Sequence, residues 1–260
     1  VDSLNALERV QRYMIARRQA KHTMIRVGPF TVLLDADDDG FESNLAFPHT
    51  PATEAPEQWL APLRAAFASH GRKPAIQWIV GYAPQLEATL QATGFVEHSR
   101  ETLLVCAPGA MRPTPALPGL TVATITDASP LADARESLDV NEFGFDPANA
   151  QPATDEQATQ FRATLTTARA FTARRDGRAI AAGMYTEPHA GVVELAGIAT
   201  LEPFRGQGLA QALTAHMAQA AFANGCDLVY LKTANPVAVR VYERAGFQPN
   251  GEDLTYVASR

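Results

Sequence analysis

Two hydrophobic periods run through the chain, and each change of period marks an element. A spacing of three to four over Leu4 to Ala20 predicts a helix, followed by an extended region with a hairpin around Asp37 to Gly40 and a helix from Pro56 to about His70. Strand (Ala75 to Val80), helix (Pro84 to Ala92) and strand (Glu101 to Cys106) close this half. After residue 119 the pattern predicts a strand over Leu120 to Ile125 and helices over Ala128 to Asn141 and Asp155 to Ala168. A hairpin follows from Ala170 to Arg174 and Ala179 to Tyr185. The rest reads as strand (Val192 to Thr200), helix (Gly206 to Ala223), strand (Asp227 to Thr233), helix (Val237 to Ala245) and a last strand.

Between the halves, Ala107 to Gly119 reads APGAMRPTPALPG, with four prolines and two glycines, the composition of a linker. At an offset of 152 residues the halves overlay: Pro84 on Pro236, Gly94 on Gly246, Phe95 on Phe247 and Val105 on Val257. Trp78-Ile79-Val80 falls on Tyr230-Leu231-Lys232, so the order strand, proline, helix, Gly-Phe, strand occurs twice. The expected division is a domain over 1–107, a linker over 108–119 and a domain over 120–260, the two domains being copies of one unit.

Composition agrees with two packed domains. The 260 residues are 46% hydrophobic and 19% charged, enough apolar material for two cores. The net charge of −6 argues against a nucleic-acid surface. Up to Arg112 there are 11 basic and 12 acidic residues, and beyond it 11 and 16, so most of the negative charge lies in the second half. Cys106 and Cys226 are too few for a disulfide framework or a cysteine metal site, and each lies beside an apolar stretch as a buried free thiol does. No apolar run reaches membrane-spanning length and the start has no signal-peptide character, so a cytoplasmic protein without membrane or metal is expected.

The densest chemical signal is VELAGIATLEPFRGQGLAQALTAHM, Val192 to Met217. A strand runs into a turn holding Arg205, Gly206, Gln207, Gly208, Leu209 and Ala210, and then into a helix with Leu209, Leu213 and Met217 at four-residue spacing. Glycines let the backbone approach a ligand, and the free amides of a helix N-terminus attract a phosphate or pyrophosphate. The plainer reading is a glycine turn that only starts a helix. The nucleotide loop Gly-x-x-x-x-Gly-Lys-Ser/Thr is absent, and the dinucleotide fingerprint fails because Gln211 stands where its third glycine belongs.

At these residues the chain resembles the GNAT superfamily of acyl-CoA-dependent N-acyltransferases, whose signature Arg/Gln-x-x-Gly-x-Gly/Ala is met by Arg205, Gly208 and Ala210. The stretch NPVAVRVYERAGF resembles the family's second motif through Asn235, Ala238, Tyr242 and Gly246-Phe247. The resemblance implies an α/β fold of the α+β type, a twisted mixed sheet flanked by helices, in two tandem copies. The first copy is expected to be degenerate. Gly206 and Gly208 fall on Glu54 and Pro56, a carboxylate and an imino acid where a pyrophosphate needs amides, and Tyr242 falls on Leu90.

For the second half the resemblance implies an N-acetyltransferase using acetyl-CoA and an amine in a ternary complex. The strands on either side of the loop helix would splay, with the pantetheine arm along Ile198, Ala199 and Thr200 and the diphosphate on the amides of Arg205 to Ala210. Arg205 either adds a charge contact or is a solvated turn residue. The Ile198 amide is the implied oxyanion donor and Tyr242 the implied acid for the thiolate. Asn235 either orders CoA or a water, or caps a helix. Glu194, on a strand face expected to carry Val192, Ala196 and Ile198, is the candidate base.

Glu142, Phe143 and Phe145, with Asp139, Asn141 and Asp146 nearby, are the candidate acceptor-binding residues, since carboxylates among aromatics suit a cationic amine. A surface loop with incidental acids is the other reading. The competing functional class is a non-catalytic acyl-CoA sensor or scaffold. The sequence allows a homodimer and leaves the acceptor unnamed.

Overall fold

A computed structural model describes residues 3–51, 55–114 and 116–259, without the side chains of Ser3 and Leu4. Glu54, Pro115 and the ends of the two expected domains at Val1 and Arg260 lie outside the described residues. The chain forms two compact units that are not contiguous in sequence. Unit 1 holds Val1–Leu103, Lys232–Asn235 and Pro249–Arg260, and unit 2 holds Leu104–Leu231 and Pro236–Gln248.

Unit 1 runs α1 (Ser3–Gln19), β1 (Thr23–Val27), β2 (Phe30–Leu34), β3 (Leu45–Pro48), a 3-10 turn (Pro56–Trp59) and α2 (Leu60–Ala68). It continues through β4 (Ala75–Ile79), α3 (Leu86–Ala92) and β5 (Phe95–Cys106), and takes in β11 (Gln248–Ala258) from the far end of the sequence. Its strand order is β1-β2-β3-β4-β11-β5. β1 to β3 form an antiparallel meander, with Thr23 opposite Leu34 and Phe30 opposite Pro48. β3 and β4 are parallel and meet at one pair, Ala46 and Ile76. β11 is antiparallel to β4 from Val257 opposite Ala75 to Asp253 opposite Ile79. Every residue of β2 and β4 is buried, which explains the unbroken apolar runs there.

In unit 2 the described elements are β6 (Leu120–Ile125), α4 (Leu131–Phe145), α5 (Asp155–Ala163), β7 (Arg169–Arg175), β8 (Arg178–Tyr185) and β9 (Val192–Thr200). A 3-10 turn (Glu202–Phe204), α6 (Leu209–Ala223), β10 (Leu228–Thr233) and α7 (Pro236–Ala245) follow. Within this unit the strand order is β10-β9-β8-β7-β6. The tight β7–β8 turn has Asp176 and Gly177 both at positive φ, as a two-residue hairpin loop requires. Thr154 and Gln157 form a reciprocal capping box that starts α5.

The helices cover both faces of this sheet. α4 and α5 bury Ala134, Val140 and Ala158 against Ala170, Ala179 and Ala182 on one side. On the other side α6 and α7 pack Leu213, Met217 and Tyr242 with Phe171, Leu195 and Phe247. Both cysteines are buried free thiols, as their apolar setting suggests. Among the described residues no helix is long and apolar enough to cross a membrane.

The proline-rich stretch is packed rather than free. Arg112 N–H donates to Ala245 O at 3.2 Å, and a Cβ on Gly246 would collide with Ala110 O and stand 2.9 Å from Met111 Cα. This, with φ of +112°, is why the Gly-Phe corner requires glycine.

Candidate active site

β9 carries the geometry on which the site is built. Its parallel ladder with β10 covers Val192–Leu228, Val193–Val229 and Glu194–Tyr230, and beyond that the strands part. On its other edge Met184 faces Ala196 and Ala182 faces Ala199, so Gly183 alone stands opposite both Gly197 and Ile198. This is a β-bulge with Gly197 at φ +61°, a conformation glycine adopts without the Cβ penalty.

The bulge overturns one expectation. Strict alternation would put Ile198 on the same face as Glu194 and Ala196, but the extra residue shifts the phase. Ile198 joins Leu195 on the α6 side, where it packs on the cluster holding Met217 and Tyr242. Glu194 and Ala196 stay on the α4 side, joined beyond the bulge by Ala199 rather than Ile198. Backbone direction shifts too. Glu194 O accepts from Thr186 N at 2.9 Å and Leu201 N donates to Ile180 O at 3.0 Å, so even residues face β8 before the bulge and odd ones after it. The phase change leaves Gly197 and Ile198 with their N–H groups turned from β8, toward the side where β10 has parted.

α4 is fixed to this strand at two levels. Asn141 Nδ2 donates to Gly197 O at 2.5 Å. One turn on, Gly144 lies so close that a Cβ there would stand 2.8 Å from Ala199 Cβ. Arg205 ties the two ends together, Nε donating to Thr200 O at 3.1 Å and Nη2 to Gly144 O at 2.7 Å. Two of the Arg205 donors, Nε and Nη2, are thus directed at backbone carbonyls, while the residue as a whole is exposed.

Behind the strand, Gly206 and Gly208 have φ of +76° and +79°, and Gly208 caps α6 without any side-chain hydrogen bond to its first amides. A Cβ on Gly206 would meet nothing within 4 Å, so the glycines here serve backbone direction rather than crowding. Gln207 is held by Arg175 Nη1 at 2.7 Å, whereas Leu209 is a core residue. Ala210 carries the carbonyl that accepts from Thr214 Oγ1. Thr200 Oγ1 is buried and has no hydrogen-bond partner among the described residues.

Tyr242 is buried on α7, its ring 6.4 Å from that of Phe247. Burial pushes its hydroxyl above the ordinary tyrosine range. Asn235 directly precedes α7, with its N–H donating to Thr233 Oγ1 at 3.1 Å. Glu194 is half-buried.

On the acceptor side, Glu142, Phe143 and Phe145 belong to α4, which runs to Phe145, past the helix end expected at Asn141. Phe143 lines a cavity of about 320 Å³ with Asp139, Val140, Arg178, Leu201 and Glu202. Glu142 is exposed, and Phe145 is 63% exposed. A smaller cavity of about 70 Å³ lies at the bulge, lined by Ser137, Asn141, Phe161, Met184 and Gly197 among others. Gly197 is absent from the residues that the sequence singles out, and Asn141 stands there only as a neighbour of the acceptor candidates. A glycine inside a strand was the available signal, since it marks a bulge or a close approach.

Residues 135–247 match the model of the acetyltransferase (GNAT) family. An acetyltransferase of Agrobacterium fabrum is 31% identical over 98 residues, spanning 35% of this chain and 72% of that protein. The chain belongs to the GNAT family. Among solved structures, a GCN5-related N-acetyltransferase from Kribbella flavida superimposes with a TM-score of 0.80 at 23% identity, over 98% of this chain and 96% of that one. A tandem GNAT protein from the clavulanic acid biosynthesis pathway gives 0.64 at 16% identity, over 88% and 78%. GNAT membership identifies the chain as an acetyltransferase, and the fold expected from the motifs is the fold observed.

Proposed function

We propose that unit 2 of this GNAT protein transfers an acetyl group from acetyl-CoA to a primary amine of a small molecule or peptide, by direct attack in a ternary complex. The observation that carries this reading is the open N-terminus of α6, entered through two left-handed glycines at the end of a strand that has parted from its parallel neighbour. Uncapped amides suit a diphosphate, and an unpaired strand edge suits the amide-bearing pantetheine arm. When bound, acetyl-CoA supplies an acyl group on a thioester.

In this reading the backbone of Ile198, Ala199 and Thr200 aligns the arm, and the amides of Arg205, Gly206, Gln207, Gly208, Leu209 and Ala210 hold the diphosphate, with Asn235 ordering the donor. The Ile198 N–H stabilises negative charge growing on the acyl oxygen as the amine nitrogen bonds to the acyl carbon. The carbon–sulfur bond then breaks, and Tyr242 gives its proton to the leaving thiolate. Glu194, on the α4 side, takes the amine proton through water. Phe143, with Glu142 and Phe145 around it, receives the acceptor. Unit 1 serves as a degenerate copy without donor chemistry. Among the described residues there is no group of three or more His, Cys, Asp or Glu placed to hold a metal, and this mechanism calls on none.

Free thiol release from acetyl-CoA across a panel of amines tests the proposal. A set of amines should release thiol well above the amine-free background. Tight binding of acetyl-CoA with no thiol release from any amine would instead make the protein an acyl-CoA sensor.

A further inference from the structure

Among the described residues Asn141 is the α4 side chain with a hydrogen bond to the bulge backbone, its amide donating to Gly197 O at 2.5 Å. The carbonyl of Gly197 and the N–H of Ile198 belong to the same planar trans peptide and point in opposite directions. Holding the carbonyl against α4 therefore aims the N–H of Ile198 away from α4. The ladder phase independently sets that N–H on the side where β10 has parted from β9. A peptide whose oxygen already accepts a hydrogen bond is also polarised, which makes its N–H the stronger donor.

Gly197 gives such control a purpose. Without a side chain and at φ +61°, in the unpaired step between Ala196 and Ala199, it leaves the peptide that follows it less restrained than its laddered neighbours. The space fits one anchor, since a Cβ on Gly197 would stand 3.0 Å from Asn141 Nδ2. The Arg205 contacts with Gly144 and Thr200 fix the height of α4 against β9 and so keep Asn141 level with the bulge.

We infer that Asn141 is a positioning residue for acyl transfer: its side-chain amide fixes the Gly197–Ile198 peptide so that the Ile198 N–H meets the acyl oxygen. This inference rests on the acetyl-transfer reading of unit 2. Asn141 does not touch the donor, so its removal should affect the reacting carbonyl and spare the nucleotide end.

The test compares Asn141→Leu, similar in size without a donor, and Asn141→Asp, similar in size and acceptor-only when ionised, with the wild-type protein. The measurements are kcat and KM, CoA affinity by calorimetry, and the infrared carbonyl stretch of bound ¹³C-labelled acetyl-CoA. Folding is checked by thermal melting. In wild type the stretch should fall below its solution value. Either folded variant should lose kcat by about 30-fold or more, keep CoA affinity within twofold and return the stretch toward solution. A folded variant with near-normal kcat and an unchanged carbonyl shift would overturn the inference. Wild-type protein that binds acetyl-CoA without any carbonyl shift would overturn the acetyl-transfer reading itself, and the inference with it.

Discussion

Each unit contains a pair of parallel strands that begins to pair and then parts, and the two gaps are treated in opposite ways. In unit 1, β3 and β4 share one pair, and Gln11 of α1 is placed across the opening. Its Nε2 donates to Pro48 O at 3.1 Å, its Oε1 accepts from Ile79 N at 3.1 Å, and the residue is fully buried. One carboxamide thus satisfies the strand ends that a strand-like ligand would otherwise pair. In unit 2 the covering helix sends Asn141 to β9 alone, with no such bridge to β10 among the contacts of that side chain; in the proposed function that edge receives the donor. The proposed binding slot of one unit thus corresponds to a joint bridged by a buried glutamine in the other.

The helix that follows each gap tells the same story. α6 opens on Gly206 and Gly208, while its counterpart in unit 1 opens on a 3-10 turn whose first residue, Pro56, has no amide to offer. Leu90, fully buried, stands where unit 2 has Tyr242.

The contrast can be broken most sharply at the loop. Gly208→Glu should weaken acetyl-CoA binding by at least about 100-fold, through like charge and a strained left-handed residue at the α6 N-terminus. Calorimetry should give one acetyl-CoA per wild-type chain, and retained tight binding in the variant would remove the loop from the donor site. Next, Tyr242→Phe should lower kcat by about 100-fold with acetyl-CoA affinity unchanged. Because burial raises the Tyr242 pKa, the phenol keeps its proton as pH rises through the ordinary value of about 10. Any loss of wild-type rate caused by its ionisation should therefore begin above that pH, and the variant should lack that limb.

On stability, Gln11→Leu should cost about 2–4 kcal/mol, because Pro48 O and Ile79 N are left buried without partners. Denaturant unfolding measures this, and donor stoichiometry should stay at one. A second bound acetyl-CoA would show that the glutamine alone keeps unit 1 closed. The smallest pair compares the two Gly-Phe corners. Gly246→Ala should cost about 2–3 kcal/mol, from positive φ and collision with Ala110. Gly94→Ala should cost about 1 kcal/mol, since its φ is +78° and the nearest atom is a side-chain oxygen, Ser259 Oγ, at 3.3 Å rather than backbone. Equal losses would mean that the corners are not differently packed.

Much of this was legible in the sequence, and the boundary of legibility has a physical basis. β6 and β9 have the bounds that their alternation predicts, and the two motifs fix the family, because a loop and a helix start are local features. Local pattern also explains the misplacements. The segment from Glu142 to Phe145 has too little apolar periodicity to read as helix, yet it continues α4 because Gly144 packs against β9. The face of Ile198 depended on a bulge that only the partner strand reveals. Arg205 read as a ligand contact or a solvent residue, since the carbonyls it holds are 5 and 61 residues away. Gln11 was one polar residue in a helix, and nothing nearby indicates that its partners are 37 and 68 residues on.

The place of β11 bears on how the molecule is made. Most of unit 1 is synthesised before unit 2, yet the strand that covers the edge of β4 lies more than 160 residues later, with Leu254 opposite Trp78. Until that strand leaves the ribosome, β4, apolar along its whole length, has an uncovered edge, the kind of surface on which nascent chains associate wrongly. Pairing at such separation is also slow, since a long loop must close before any contact rewards it. Unit 2 must therefore be made before unit 1 can finish folding.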